Sequence, residues 1–443
     1  MADEAHQDIR SKGVVDPDYP LTEVPGSARR GFLSLLVVLL GFTFFTPTML
    51  AGAQVGAAFT LGDFLGVVLL GSVILGGYVA VLAWIGAKSG LTAVLLCRHA
   101  LGRVGAKWGD LMLGGTQVGW FAITVAFFGL ITAEAFGIPE LDWLMMIIGA
   151  ALMGLSAYFG YKGIQLISAI SVPLMFILAF WVLAEALGEA GGWEGLAAVE
   201  PVETMTLGTA LTIVVGTFAS GGTNTPNWSR FARAPWHGFT AAVAAFFAAN
   251  LLMLFFGAVG AIAFGEPDFV DVLLQLGLVG AAVALLAMNL WTTNDNAAYA
   301  FGVAGAEAFG VRSKRPFVII GVAIALVLAL TGIWDRLEDF LILLGVFIPP
   351  LGGVIIGDFL FNARGRLPDI ADTAFRMIRW DGLIAYLAGT GAAWLGNTLD
   401  VGIPPLFGIV VAAVGVPVAS AAFRALGAPQ THQVTGSSEE GES

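Results

Sequence analysis

Three short polar runs interrupt an otherwise apolar chain, and each carries side chains suited to binding. In Leu113-Gly-Gly-Thr-Gln-Val-Gly-Trp-Phe121, the residues Gly114, Gln117 and Trp120, with Thr124 just beyond, recur at three- and four-residue spacing and share one helix face. Gln117 offers a paired donor and acceptor and Trp120 a flat face; together they either hold a ligand or bind one helix to another. In Asn289-Leu-Trp-Thr-Thr-Asn-Asp-Asn296, the side chains of Asn289, Thr292, Thr293 and Asn296 fall on one side. Two adjacent threonine hydroxyls and a backbone carbonyl one turn earlier are oxygen donors of the kind that hard cations require. Asp295 in the same run is either a functional buried acid or a structural hydrogen-bond acceptor. In the third run, residues 214–230, Thr217, Phe218 and Ser220 precede Gly221-Gly222. The glycines are expected to free backbone amides and carbonyls, and Phe218 and Trp120 to flank a flat heterocycle whose edge Gln117 reads. No charged partner is required, so the ligand reads as a neutral, planar, amide-like molecule.

These runs must be positioned by membrane helices. Of 443 residues 58% are hydrophobic and 12% charged, and the mean hydropathy is +0.86, outside the range of a soluble domain. Twelve segments have the length and apolarity to span a bilayer: 31–57, 62–87, 107–131, 142–160, 164–187, 207–229, 237–264, 279–304, 316–332, 340–360, 381–396 and 403–422. The first is interrupted at Gly41-Phe-Thr-Phe-Phe-Thr-Pro-Thr48 and the sixth at the run after Val214. Unwound backbone in lipid is tolerated only where it is buried in protein or lines a cavity, so both breaks mark a binding site. Two breaks half a molecule apart, with five spans from each, predict a five-plus-five inverted repeat: one unit over about 31–187, a second over about 207–360, and helices 11 and 12 appended over about 381–422. Pro173 and Pro349-Pro350 mark further kinks.

Charge orients the chain. With both termini cytoplasmic, nineteen of the twenty lysine and arginine residues fall inside and only Arg336 outside, as the positive-inside bias demands. The stretch from Gly90 to Arg103 is too short and too basic to cross, and reads as an inner-surface helix on which His99 has no evident role. The net charge of −12 lies mostly in the tails and in external connections such as residues 134–142, 185–203 and 266–271, with a short amphipathic helix expected from Pro267 to Leu276. Residues 1–27 and 427–443 read as disordered cytoplasmic tails flanking one transporter domain, 28–426. The first 27 residues contain no apolar core of a signal peptide. An acidic balance argues against nucleic-acid partners. One cysteine, Cys97, and four scattered histidines exclude a disulfide framework and structural zinc. Trp108, Trp143, Trp236 and Trp334 sit near segment ends as interfacial anchors, whereas Trp120 is near mid-span.

At these residues the chain resembles the nucleobase:cation symporter family, in its bacterial cytosine-carrying branch. The runs 113–121 and 289–296 and the segment Ile348-Pro-Pro-Leu-Gly-Gly-Val-Ile-Ile356 carry the likeness, which extends from about Pro25 to Arg424. The resemblance implies an all-α, leucine-transporter-like fold with broken helices 1 and 6, located in the plasma (inner) membrane. It implies import of cytosine or a close relative, coupled to sodium, with protons as the alternative ion and hydantoin, allantoin, uracil or a purine as alternative substrates. Sodium would then meet the carbonyls of Gly41 and Phe44 together with Asn289, Thr292 and Thr293. The substrate would meet Gln117, Trp120, Thr217, Phe218 and Ser220, and also Phe45 and Asn296. Two departures fall in the sixth span, where Thr217 replaces the more usual serine and Asn227 the usual aspartate.

Beyond the coupling ion no cofactor is implied, and no obligate protein partner. A channel would want a continuous polar pore, whereas these polar residues cluster at one depth. An enzyme would want a nucleophile–base pair or a metal motif, and the sequence presents neither.

Overall fold

Runs of Leu, Val, Ala and Phe in lipid must satisfy their backbone internally and therefore close as helices. In the computed structural model, which describes residues 18–265, 269–275 and 277–434, each of the twelve expected apolar segments is helical. The first is the pair α1 (Phe32–Thr43) and α2 (Thr46–Ala58), followed by α3 (Leu61–Ser89), α4 (Ala93–Ala135), α5 (Asp142–Tyr158) and α6 (Tyr161–Glu189). Then come α7 (Leu207–Thr223), the short α8 (Pro226–Ser229), α9 (Pro235–Phe264), α10 (Val279–Phe309) and α11 (Arg315–Leu330). The last are α12 (Leu337–Phe347), α13 (Pro349–Gly357), α14 (Trp380–Thr398) and α15 (Pro404–Ala425). Among the described residues, seven helices are long and apolar enough to cross a membrane, and the bent pair α1–α2 makes eight. The protein is an all-α polytopic membrane protein.

The first break lies where expected. Helix α1 ends at Thr43, Phe44 and Phe45 are extended, and α2 leaves at 55° with Pro47 in its first turn, where a missing amide costs nothing. The second break does not fall at the glycines. Helix α7 runs through Gly221 and Gly222 to Thr223, and the non-helical residue is Phe218, at φ −130° and ψ 19°. The glycines serve close packing instead: a Cβ on Gly221 would stand 2.7 Å from the Phe42 ring, and one on Gly222 2.4 Å from a Val79 methyl.

Between the second and third apolar segments, residues 93–101 form the expected basic helix. Thr92 caps it, accepting from the Leu95 amide at 3.1 Å, and Gly102, at φ 81°, turns the chain into the long part of α4. Arg98 and Lys107 both reach the buried carboxylate of Glu307 on α10, at 2.8 and 3.1 Å. Pro173 sits inside the continuous α6, whereas Pro349-Pro350 opens α13. A short helix covers Phe269–Gln275 with Val270, Val272 and Leu273 buried; the flanking 266–268 and 276 lie outside the described residues.

The expectation of disordered tails fails in part. Residues 1–17 and 435–443 lie outside the described residues, but Asp18 is buried and docked. Its carboxylate meets Lys314 at 3.2 Å and accepts from the Tyr161 amide, while Arg230 donates to the carbonyls of Asp18 and Tyr19. At the other end, Gln433–Val434 pairs antiparallel with Thr373–Ala374, and His432 Nε2 lies 2.8 Å from the His99 carbonyl. The physical reason at the N-terminal side is plain: the wholly buried Arg230 and Lys314 need acceptors, and this segment supplies them.

Candidate functional site

Helices α4 and α7 cross at the residues singled out for binding. Gln117, 1% exposed, donates through Nε2 to Ser220 Oγ at 2.9 Å, and Thr116, a residue the sequence reading passed over, makes a short hydroxyl contact to the same oxygen. Gln117 Oε1 is buried with no hydrogen-bond partner. Trp120 is buried, unlike Trp108, Trp143 and Trp236 near other helix ends, which are exposed.

An aromatic cluster stands beside this pair, but not in the expected order. The Phe45 ring contacts both Trp120, with centroids 5.4 Å apart, and Phe218, at 5.9 Å. Phe45 thus contacts both rings that were expected to flank a ligand. The cause is the helix break itself, which frees Phe45 from helical geometry and sends its side chain into the site. Phe340 of α12 closes against Trp120 from another side, at 5.4 Å. These rings meet edge to face, which their quadrupoles favour.

Thr217 faces elsewhere. Its hydroxyl donates to the Val214 carbonyl at 2.7 Å and lies 3.3 Å from Asn250 Oδ1 on α9. Asn250 was missed, although a lone amide in the apolar stretch 241–264 was the available signal. Asn296 turns back on its own helix, donating to the Thr292 carbonyl at 2.7 Å and leaving Oδ1 buried and unpartnered. Asp295 Oδ2 is likewise buried without a hydrogen-bond partner. The substrate set is therefore split: Gln117 joins Ser220, the rings of Phe45, Trp120 and Phe218 join each other, and Thr217 and Asn296 point to separate partners.

The oxygen-rich residues gather where the end of α1 meets α10. The last carbonyls of α1 have no intrahelical partner and carry the negative end of the helix dipole. Thr293 Oγ1 reaches the Phe42 carbonyl at 3.2 Å, and Thr292 Oγ1 bonds back to Met288 and Asn289 carbonyls at 2.8 and 3.1 Å. Gly41 lies against Thr292, where a Cβ would stand 3.4 Å from the threonine Cβ. Asn289 Oδ1 accepts from the Thr46 amide at 2.9 Å and so caps α2 across the break. The ring of Phe44 packs on Phe176 at 5.1 Å. This corner offers neutral oxygens and a helix dipole and no full charge from these residues, which suits a monovalent hard cation. Asn227, one of the two departures noted in the sequence, accepts from the Ala93 amide at 2.9 Å and donates to Asn224, a role in seating the basic helix.

Comparison with known proteins identifies the family and the fold. Residues 23–418 match the family described as permease for cytosine/purines, uracil, thiamine, allantoin. The cytosine permease of Escherichia coli (strain K12) is 39% identical over 387 residues, covering 87% of this chain and 91% of the relative. The allantoin permease of Bacillus subtilis (strain 168) is 24% identical over 383 residues, covering 74% and 76%. In architecture the chain is similar to Mhp1, a nucleobase-cation-symport-1 family transporter solved in a closed conformation with bromovinylhydantoin bound: the TM-score is 0.79 at 17% identity, over 94% of this chain and 96% of that one.

Proposed function

This chain belongs to the family of permeases for cytosine/purines, uracil, thiamine and allantoin, and on that footing we propose that it imports cytosine, or a closely related nucleobase, by sodium symport. Transport proceeds by alternating access, without chemical conversion of the substrate, over twelve spans arranged as a five-plus-five inverted repeat with two appended helices. Both termini are cytoplasmic and the membrane is the plasma (inner) membrane.

The observation that carries this reading is the buried Gln117–Ser220 pair beside Trp120, with Gln117 Oε1 left unpartnered. A buried acceptor without a partner costs about 1–3 kcal/mol, and an exocyclic amino group or ring N–H of a nucleobase would satisfy it. Trp120 supplies a face for the ring. For such a ligand to lie against Trp120 and Phe218 together, Phe45 must swing aside, so substrate binding and the position of the helix break are coupled. Sodium at the α1–α10 corner would bind the carbonyls of Gly41 and Phe44 and the side chains of Asn289, Thr292 and Thr293, on the same break. That shared element gives symport a physical basis: each ligand favours the arrangement of the break that the other needs.

Uptake of labelled cytosine into proteoliposomes, with and without an inward sodium gradient and with competing bases, tests substrate and ion together. Cytosine accumulation driven by sodium is the expected result. Accumulation driven only by a proton gradient would replace the ion, and absence of cytosine uptake would replace the substrate. The second reading, a different flat amide such as allantoin, hydantoin, uracil or a purine, draws on the allantoin-permease relative and on Thr217, and the same competition assay ranks it.

A further inference from the structure

Helix α9 is not uniform: residues Val243–Ala249 form a π-helical segment between two α-helical stretches. Each π-bulge inserts one extra residue and rotates everything beyond it by about 100° relative to an unbroken α-helix. Here the insertion brings two residues to the broken helix α7. Phe246, inside the bulge, contacts Phe218 at 5.6 Å and Phe42 at 6.2 Å. Asn250, the first residue after it, lies with Oδ1 3.3 Å from Thr217 Oγ1.

Asn250 is the one amide in the stretch 241–264, is wholly buried, and has no partner for Nδ2. The Thr217 hydroxyl, shared between the Val214 carbonyl at 2.7 Å and Asn250 Oδ1 at 3.3 Å, engages only the oxygen of this amide and leaves Nδ2 without an acceptor. The amide therefore carries an uncompensated desolvation cost, on a helix deformed just before it, next to the residue where α7 loses helical geometry.

We infer that Asn250 is a specificity-determining residue for the transported molecule, its Nδ2 donating to a carbonyl oxygen of a neutral heterocycle while Oδ1 faces Thr217. The inference rests on the nucleobase reading above and deepens it. Gln117 Oε1 is an unpartnered acceptor and Asn250 Nδ2 an unpartnered donor. A ligand that satisfies both carries an N–H donor and a carbonyl acceptor, and cytosine has this pattern. The related heterocycle 4-aminopyrimidine keeps the amino group and loses the carbonyl.

Binding of labelled cytosine to purified protein, and its displacement by unlabelled cytosine or 4-aminopyrimidine, provides the test for wild type, Asn250→Ala and Asn250→Asp. The aspartate is isosteric, keeps an acceptor toward Thr217 and removes the donor. In both variants cytosine affinity should fall by about tenfold with that of 4-aminopyrimidine unchanged, so that the preference for cytosine collapses. Equal losses for the two ligands would make Asn250 a structural residue and overturn the inference, as would an unchanged preference. If Asn250→Ala fails to fold, Asn250→Asp alone decides. Absence of cytosine binding by the wild type would remove the nucleobase reading and this inference together, whereas wild-type binding with an intact preference in the variants removes only the latter.

Discussion

Asn289 on α10 and Thr46, 243 residues earlier at the start of α2, are joined by a hydrogen bond of 2.9 Å from the Thr46 amide to the asparagine Oδ1. One side chain thus caps the helix that begins after the first break while standing in the oxygen-rich corner beside Thr292 and Thr293. Because the bond is buried, water cannot replace it.

Asn289→Ala is expected to lower stability by about 0.5–2 kcal/mol, the usual cost of losing an N-terminal cap. Thermal unfolding in detergent and amide exchange at Thr46 and Thr48 measure it. An unchanged melting temperature together with unchanged exchange at those amides would rule out the capping role.

Thr293→Ala removes a hydroxyl that reaches the Phe42 carbonyl at 3.2 Å. The variant should remain folded and lose sodium-stimulated substrate binding, because few side-chain oxygens in that corner can meet a hard cation. Titration of sodium against cytosine binding is the measurement, and unaltered stimulation would mean that the ion sits elsewhere.

Gln117→Ala should weaken cytosine binding by about 5- to 150-fold, corresponding to about 1–3 kcal/mol for a buried polar edge left without its partner. Gln117→Glu should also impair binding, since an ionised carboxylate offers acceptors only. Ser220→Ala frees Gln117 Nε2 from its 2.9 Å bond and should cost less than either. A change confined to stability, with affinities unaltered, would return Gln117 to helix packing.

Acid should release the C-terminal segment. Burial pushes His99 down to about 3 and His432 to about 4, with further lowering of His99 by His432, Arg379 and Arg98 and of His432 by Arg379 and Arg376. For His432, the His99 carbonyl and Asp381 oppose the effect without reversing it. A histidine whose folded pKa is depressed binds fewer protons folded than unfolded, so stability is full above about pH 6.5 and declines as pH falls toward 4. Protection against hydrogen exchange at residues 430–434, taken relative to the intrinsic rate at each pH, should therefore fall between pH 6.5 and 4.5 in wild type, and much less in His432→Gln. Equal acid sensitivity in the two proteins would place the responsible groups elsewhere.

Sequence alone determined the all-α membrane character of the chain and which polar side chains lie buried within it, because both depend on local free energies. A run of about twenty apolar residues is worth transferring into lipid whatever its neighbours do, and an amide or paired threonines within it must have a partner. The first break was legible for the same reason, since Pro47 and its flanking threonines act on their own backbone. Tertiary structure decided the rest. Phe218 carries no signal of its own for leaving helical geometry, and the glycines after it stay helical because Phe42 and Val79 press against them. The π-bulge before Asn250 has no sequence signature, and the placing of Phe45 against both Trp120 and Phe218 follows from the direction in which the broken helix points. Asp18 and His432, read as parts of disordered tails, are docked because the buried Arg230 and Lys314 at one end, and the β-pairing of Thr373–Ala374 at the other, await partners distant in sequence. In each case the outcome depends on contacts between segments far apart in the chain, which no local pattern records.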